Sequence, residues 1–404
     1  MERPSPGLFS HIEPGNAAPG SGRLAGKSVL VQPNMSVRGW PTAAGSLALE
    51  GFVALEDAAA VERLRAAAAN VVGSSRMAEL GLGLVGDTAA SAVAENLCDV
   101  ALVTDTMGEA RHAALDAGAF GFKPSWGIVP RIGLIGLAPS MECYGVVAKS
   151  LDDAAGVMAA LAGGDERDPS MLQEGVPDFS QVRRGTSSLA VAGVIGECLD
   201  ALEPAEGDAF RAALLRLESA GIRIEEVGLP DFHLFRTVHN VIGATEASSS
   251  AGKYDGVRYG HRTASAENWN EMYLKSRAES FGTLVKAYLF QGAYFQFENY
   301  AAFENACRLR RRLVGKTEAL FEKVDVLVSP TRRAGLEAAA ATTIQATYDA
   351  FALSLPANVT GQPALSLPGI AGNGDFELGL QLVGRHLADV QLLAMGARLA
   401  LLEP

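Results

Sequence analysis

The chain has 404 residues, 48% of them apolar and 20% charged, with a net charge of −12 at pH 7. That length supplies a large buried core, and the acidic balance weighs against a broad phosphate-binding surface, so direct nucleic-acid binding is not expected. The sequence has no run of 18 apolar residues and no apolar stretch behind Met1, and Cys98, Cys143, Cys198 and Cys307 lack metal-ligand spacing; the expectation is a cytoplasmic protein with no membrane span, no metal and no cofactor.

Residues 1–22 are rich in Pro, Gly, Ser and Ala and read as a mobile lead-in, leaving 23–404 as a single domain. A short strand over 29–31 is broken by Pro33-Asn34. Residues 61–69 carry a helical period, and 70–73 then read as a turn and a short strand, a βα-type alternation. Gly81, Gly83 and Gly86 have the form G-x-G-x-x-G, but a helix-like segment precedes them where a phosphate-binding loop needs a strand, so that reading is set aside. Residues 100–103 form an apolar run with the length of a buried strand. Ser150 with Asp152 and Asp153 marks a helix start. A strand over 188–194 precedes a helix over 209–220 that Gly221 closes, and 222–227 alternates like a strand. Long helices are expected over 288–320, where Arg308 to Arg312 (RLRRR) reads as a solvated face, and 324–331 is a buried strand. The alternation defines an α/β chain.

The stretch 104–124, TDTMGEARHAALDAGAFGFKP, organises the rest. A buried strand that ends in a small-residue turn exposes backbone N–H groups to a ligand, and such a turn can hold a nucleophile beside them. Thr104, Asp105, Thr106, Gly108, Arg111, Gly118, Gly121, Lys123, Pro124 and Gly127 fall, without a gap, on T-D-T-G-G-S-x-R followed by G-x-K-P-[ST]-x-G. That pattern resembles the amidase signature family. Residues 246–262, EASSSAGKYDGVRYGHR, resemble more narrowly the glutaminase A subunits of tRNA-dependent amidotransferases. Leu24-Ala25-Gly26 to Asn34, residues 39–46, 324–331 and 355–384 continue the likeness.

The resemblance implies an α/β fold with a central mixed, twisted sheet flanked by helices on both faces. It also implies a small amide or amino-acid-like ligand, and a protein partner or homo-oligomer. The family's reaction uses a serine nucleophile, a bridging serine and a neutral lysine, with the N–H groups of the glycine-rich turn stabilising an oxyanion. In this sequence the nucleophile position falls on Glu109, the lysine on Gln32 and, counting back from Thr104, the bridging serine on Val85. The turn positions are Thr106, Met107, Gly108 and Glu109. The nearest hydroxyl to Val85 is Thr88, roughly 10 Å of extended chain away.

The family's arginine that grips the substrate α-carboxylate falls on Arg310, which reads equally as a surface residue of a basic run. The aspartate that pairs with the substrate ammonium falls on Phe351. Two functions follow from these substitutions. One is a pseudoamidase with a ligand-binding, regulatory or scaffolding role. The other is a repurposed hydrolase, acting on the C–N bonds of linear amides, with Glu109 as general base, or else a diverged amidotransferase subunit. A third reading of Glu109 is a simple ion pair with Arg111. If Glu109 folds back, its carboxylate occupies the N–H groups of its own turn.

Overall fold

Every residue of the strand over 100–105 is buried, and the reason is visible in how its side chains divide. Val100 and Leu102 join one apolar cluster, whereas Ala101 and Val103 join another, so helices cover the sheet on both sides. The computed structural model describes residues 7–13, 21–172, 175–184, 190–372 and 375–401. Within them, eleven strands form one mixed sheet. They are β1 (Phe9–Ile12), β2 (Ser28–Val31), β3 (Asn70–Ser75), β4 (Val100–Asp105), β5 (Phe120–Lys123), β6 (Cys143–Ala148), β7 (Val191–Ile195), β8 (Arg223–Val227), β9 (Val326–Pro330), β10 (Ala364–Leu367) and β11 (Leu380–Val383). Their spatial order is β1-β3-β2-β4-β6-β5-β10-β11-β9-β7-β8.

Strands β2, β3 and β4 run parallel, as do β7, β8 and β9. The centre between these groups is antiparallel. One face carries the helices Ala59–Ala66, Leu151–Leu161, Pro204–Ser219 and Asp389–Leu399. The other carries Ala89–Ala94 and Glu109–Asp116 over β2 and β4, and Leu234–Ser250, Tyr300–Leu320 and Leu355–Thr360 over β9 and β10. Because β2, β3 and β4 are parallel, Gln32, Ser75 and Asp105 arrive at the same edge of the sheet, the edge where open α/β sheets hold ligands.

Three expectations need correction. The lead-in is not wholly outside the fold: Phe9–Ile12 pairs antiparallel with β3, because Phe9 buries its ring with Leu30 and Ala89; residues 1–6 and 14–20 lie outside the described residues. The strand expected over 188–194 runs from Val191 to Ile195, with 185–189 outside the described residues. The long helices expected over 288–320 start earlier, at Thr283, and widen into a π turn over Tyr294–Glu298 before Tyr300–Leu320 begins.

Candidate active site

Strand β4 ends at Asp105, and the chain turns through Thr106, Met107 and Gly108 into the helix Glu109–Asp116. Gly108 has φ of 132°, and a Cβ there would lie 2.2 Å from Ser354 Oγ, so only glycine fits. Glu109, 3% exposed, folds back over the turn. Its Oε2 accepts from the backbone N–H groups of Thr106 at 2.7 Å, Met107 at 2.7 Å and Gly108 at 3.1 Å. Its Oε1 is buried with no hydrogen-bond partner. Burial, and next the nearby Asp105 carboxylate, push the Glu109 carboxyl up to about 7, although the backbone N–H bonds, those of Met107 and Thr106 first, pull the other way.

Two side chains aim those N–H groups. His239, on the helix Leu234–Ser250, has Nε2 2.9 Å from the Thr106 carbonyl, and a carbonyl only accepts, so Nε2 carries the hydrogen. Nδ1 then accepts from the Tyr348 hydroxyl at 2.9 Å, whose oxygen lies 3.1 Å from the Tyr288 hydroxyl. Burial lowers His239 to about 4, so it stays neutral. Ser354 Oγ donates to the Met107 carbonyl at 2.7 Å. A trans peptide sets C=O and N–H on opposite sides. Holding the Thr106 and Met107 carbonyls outward therefore turns the N–H groups of Met107 and Gly108 toward Glu109.

The pairing of Glu109 with Arg111 considered from the sequence does not form. Arg111, fully buried, donates through Nε to Asp105 Oδ2 at 3.1 Å and through Nη2 to Asp105 Oδ1 at 2.9 Å. It also donates to Asn358 Oδ1 at 2.6 Å, the Ser354 carbonyl at 2.9 Å and Gln381 Oε1 at 2.6 Å. All five guanidinium hydrogens are thus used on the far side of the turn. Burial opposes charge on Asp105, but the Arg111 guanidinium holds its carboxyl below the usual range.

Gln32, at the end of β2, lies 4% exposed. Its Oε1 accepts from the Thr104 N–H at 2.8 Å, and its Nε2 donates to Asp87 Oδ2 at 2.5 Å. Burial raises Asp87 to about 6. Val85 is 39% exposed in the loop over 76–88 that precedes the helix Ala89–Ala94, flanked by Gly83 and Gly86, both at φ of 77°. Leu80, Leu82 and Leu84 of the same loop pack with Met107, Tyr288, Tyr348 and Phe351. The Thr88 hydroxyl is engaged elsewhere, donating to the Leu8 carbonyl at 2.5 Å and accepting from the Arg76 N–H at 2.9 Å.

Arg310 turns inward from the basic run, while Arg308 and Arg312 stay on the surface, pairing with Glu304 and Asp231. Its Nε donates to the Val359 carbonyl at 2.8 Å, Nη1 to Ser140 Oγ at 2.8 Å and Nη2 to the Ser140 carbonyl at 2.6 Å. Phe351 is fully buried, with its ring 4.6 Å from that of His112. Sequence reasoning singled out neither His239, Ser354 nor Asp87. His239 comes from a remote segment that only the fold brings to this edge, Asp87 lies two residues beyond Val85 in the loop already singled out, and Ser354 lies beside a matched motif without being part of it. Clefts of about 300, 390 and 230 Å³ open elsewhere on the molecule; Asp87 borders the first, and Thr106, Met107, Gly108, Glu109 and Arg310 border none of the three. Among the described residues no group of three or more His, Cys, Asp or Glu is placed to hold a metal, and no helix is long and apolar enough to cross a membrane.

A strand–turn–helix of this form, set at the parallel edge of a mixed eleven-stranded sheet, places the chain in the amidase signature family, whose Amidase model matches residues 14–90 and 88–393. Among individual relatives, the glutamyl-tRNA(Gln) amidotransferase A subunit of Synechococcus elongatus is 33% identical over 399 residues, spanning 92% of this chain and 82% of the relative. The protein of the same name from Nitratidesulfovibrio vulgaris is 35% identical over 413 residues, spanning 94% and 84%. The crystal structure of its namesake from Thermotoga maritima superposes with a TM-score of 0.79 at 24% identity over 96% of this chain and 86% of its own, a likeness of fold. A crystal structure of an amidase superposes with a TM-score of 0.73 at 26% identity, over 94% and 85%.

Proposed function

We propose that this chain keeps the amidase fold without the serine–serine–lysine hydrolysis of its relatives, and acts as a cytoplasmic binding or scaffolding member of the family. The carrying observation is Glu109 Oε2, which accepts from all three N–H groups of the turn. By the resemblance those donors serve an oxyanion, and here a resident carboxylate uses them. The other two positions support the same reading. The amide of Gln32 takes no proton at neutral pH, and Val85 brings no hydroxyl. The names of the relatives, which are subunits of a larger amidotransferase, favour a protein partner.

A ligand of the small amide or amino-acid type would meet a changed recognition set, since the Arg310 fork is bonded to Ser140 and Val359 and Phe351 stands where the family places an aspartate. A second reading, Glu109 as general base, draws on its carboxyl near 7 and its unpartnered Oε1. Incubation with a fluorophosphonate separates the two from family chemistry. Intact mass is expected to show no adduct, and a stoichiometric serine adduct would overturn the proposal.

A further inference from the structure

In the centre of the sheet a lysine and a cysteine meet outside the Glu109 site. Lys123 closes β5 and is fully buried; Cys143 opens β6 and is 6% exposed. The two strands pair antiparallel, and Cys143 stands directly opposite Asp105 in the β4–β6 ladder. Lys123 Nζ lies 3.8 Å from Cys143 Sγ and 2.9 Å from the Pro124 carbonyl oxygen, its two hydrogen-bond partners among the described residues. A buried thiol is ordinarily inert. The surroundings of this one differ from those of the other buried cysteines, since Cys98 faces Asp99 and Cys198 faces Glu197. Burial pushes the Cys143 thiol up, but Lys123, and further off Arg131, favour its thiolate. Burial also pushes the Lys123 amine down, toward the form whose nitrogen lone pair is free to react.

We infer that Cys143 and Lys123 are a peroxide-driven modification site, at which an Sγ–O–Nζ bridge joins β6 to β5. In the first step Sγ attacks hydrogen peroxide, the O–O bond breaks, one oxygen stays on sulfur as the sulfenic acid and water leaves. In the second step another hydrogen peroxide accepts two electrons. The Nζ–O bond forms, the amine and the sulfenic acid each give up one hydrogen, and two waters leave. One thiol, one amine and two peroxides thus yield the bridge and three waters. The neighbouring amine captures the sulfenic acid before further peroxide carries it to the irreversible sulfinic acid. A single bridging oxygen comes closer to spanning the 3.8 Å gap than a direct S–N bond does, and the flexible lysine stem closes the rest. The bridge discharges Lys123, whose ammonium faces Asp105 and Asp389. Asp105 is then left with Arg111 as its cation, so oxidation is registered at the base of the turn that carries Glu109. The inference does not rest on what Glu109 does.

The test is native hydrogen peroxide treatment of the full chain carrying Cys307→Ser, which removes the exposed thiol, read by intact mass and peptide mapping. A gain of about 14 Da is expected, one oxygen in and two hydrogens out. Because Pro124 follows Lys123, trypsin should yield residues 112–131 cross-linked to 132–149, and dithiothreitol should release the pair. Adding Cys143→Ser, a change of one atom with far-UV circular dichroism as the check on folding, should abolish the cross-link. A Cys143 that stays a free thiol would overturn the inference. So would a Cys143 that gains about 32 Da as sulfinic acid with no cross-link, or a cross-link that contains no added oxygen.

Discussion

The side-chain amide of Gln32 donates to the carboxylate of Asp87 at 2.5 Å, and the same amide accepts from the N–H of Thr104 at the end of β4. This contact closes the space between the end of β2 and the short loop before the helix Ala89–Ala94. By the resemblance, the family's reaction would place a neutral amine and a bridging hydroxyl there. The chain instead has a fixed amide against an acid.

Introducing a nucleophile alone is therefore not expected to create activity. In Glu109→Ser the new hydroxyl has no base, because Gln32 cannot accept its proton and the Thr88 hydroxyl is bonded to Leu8 and Arg76. Adding Gln32→Lys would set the ammonium beside Asp87, which favours its charged form. Neither the single nor the double variant should be acylated by an activated ester, as read by intact mass. Acylation of the introduced hydroxyl in Glu109→Ser would contradict this.

Stability should fall as pH rises toward neutrality. The folded-state carboxyl of Glu109 lies at about 7 against an ordinary 4.5, so the folded chain binds more protons than the unfolded chain between those values. The contribution is complete below about 4.5 and is lost as pH rises through about 7. Asp87, raised to about 6, acts in the same direction. From pH 5 to 8 the Glu109 share is about 2–3 kcal/mol. Chemical denaturation of Glu109→Gln at both pH values should show the wild-type decrease reduced by that amount; equal decreases in the two proteins would contradict it.

Arg111 and Asp105 form a fully buried pair that ties the end of β4 to Ser354, Asn358 and Gln381. Removing one partner strands a buried charge, so Arg111→Met should cost about 3–5 kcal/mol. Urea denaturation measures this directly. A loss below about 1 kcal/mol would show that the pair behaves like an exposed one.

Arg310 fastens the helix Tyr300–Leu320 to Ser140 and to the Val359 carbonyl. Its loss in Arg310→Ala should cost about 2 kcal/mol, and lysine should not replace its planar fork. With that fork engaged and Phe351 buried, millimolar glutamine should leave the wild-type melting temperature unchanged. A glutamine-dependent rise abolished in Arg310→Ala would assign Arg310 to ligand binding.

The elements legible in the sequence are those whose signal is local. Residues 100–103 lie within β4, Ser150 caps its helix by accepting from the Asp153 N–H at 3.4 Å, and Gly221, at φ of 80°, follows the helix that ends at Ser219. The return of Glu109 onto its own turn was legible too, because only a few bonds separate its carboxylate from those N–H groups. Long-range features were not legible. His239 reaches Thr106 across 133 positions and Ser354 reaches Met107 across 247. No period or spacing announces such contacts. Phe9–Ile12 hides in a Gly- and Pro-rich stretch because four residues are enough for an edge strand once β3 offers its free side.

The most direct test of the central claim is ammonia release from glutamine, asparagine and simple aryl amides by the purified full-length chain, measured beside Glu109→Ala. The account predicts rates indistinguishable from that control and from buffer. Release by the wild-type chain that exceeds the Glu109→Ala control would contradict it, and would make the carboxylate at 109 a working base.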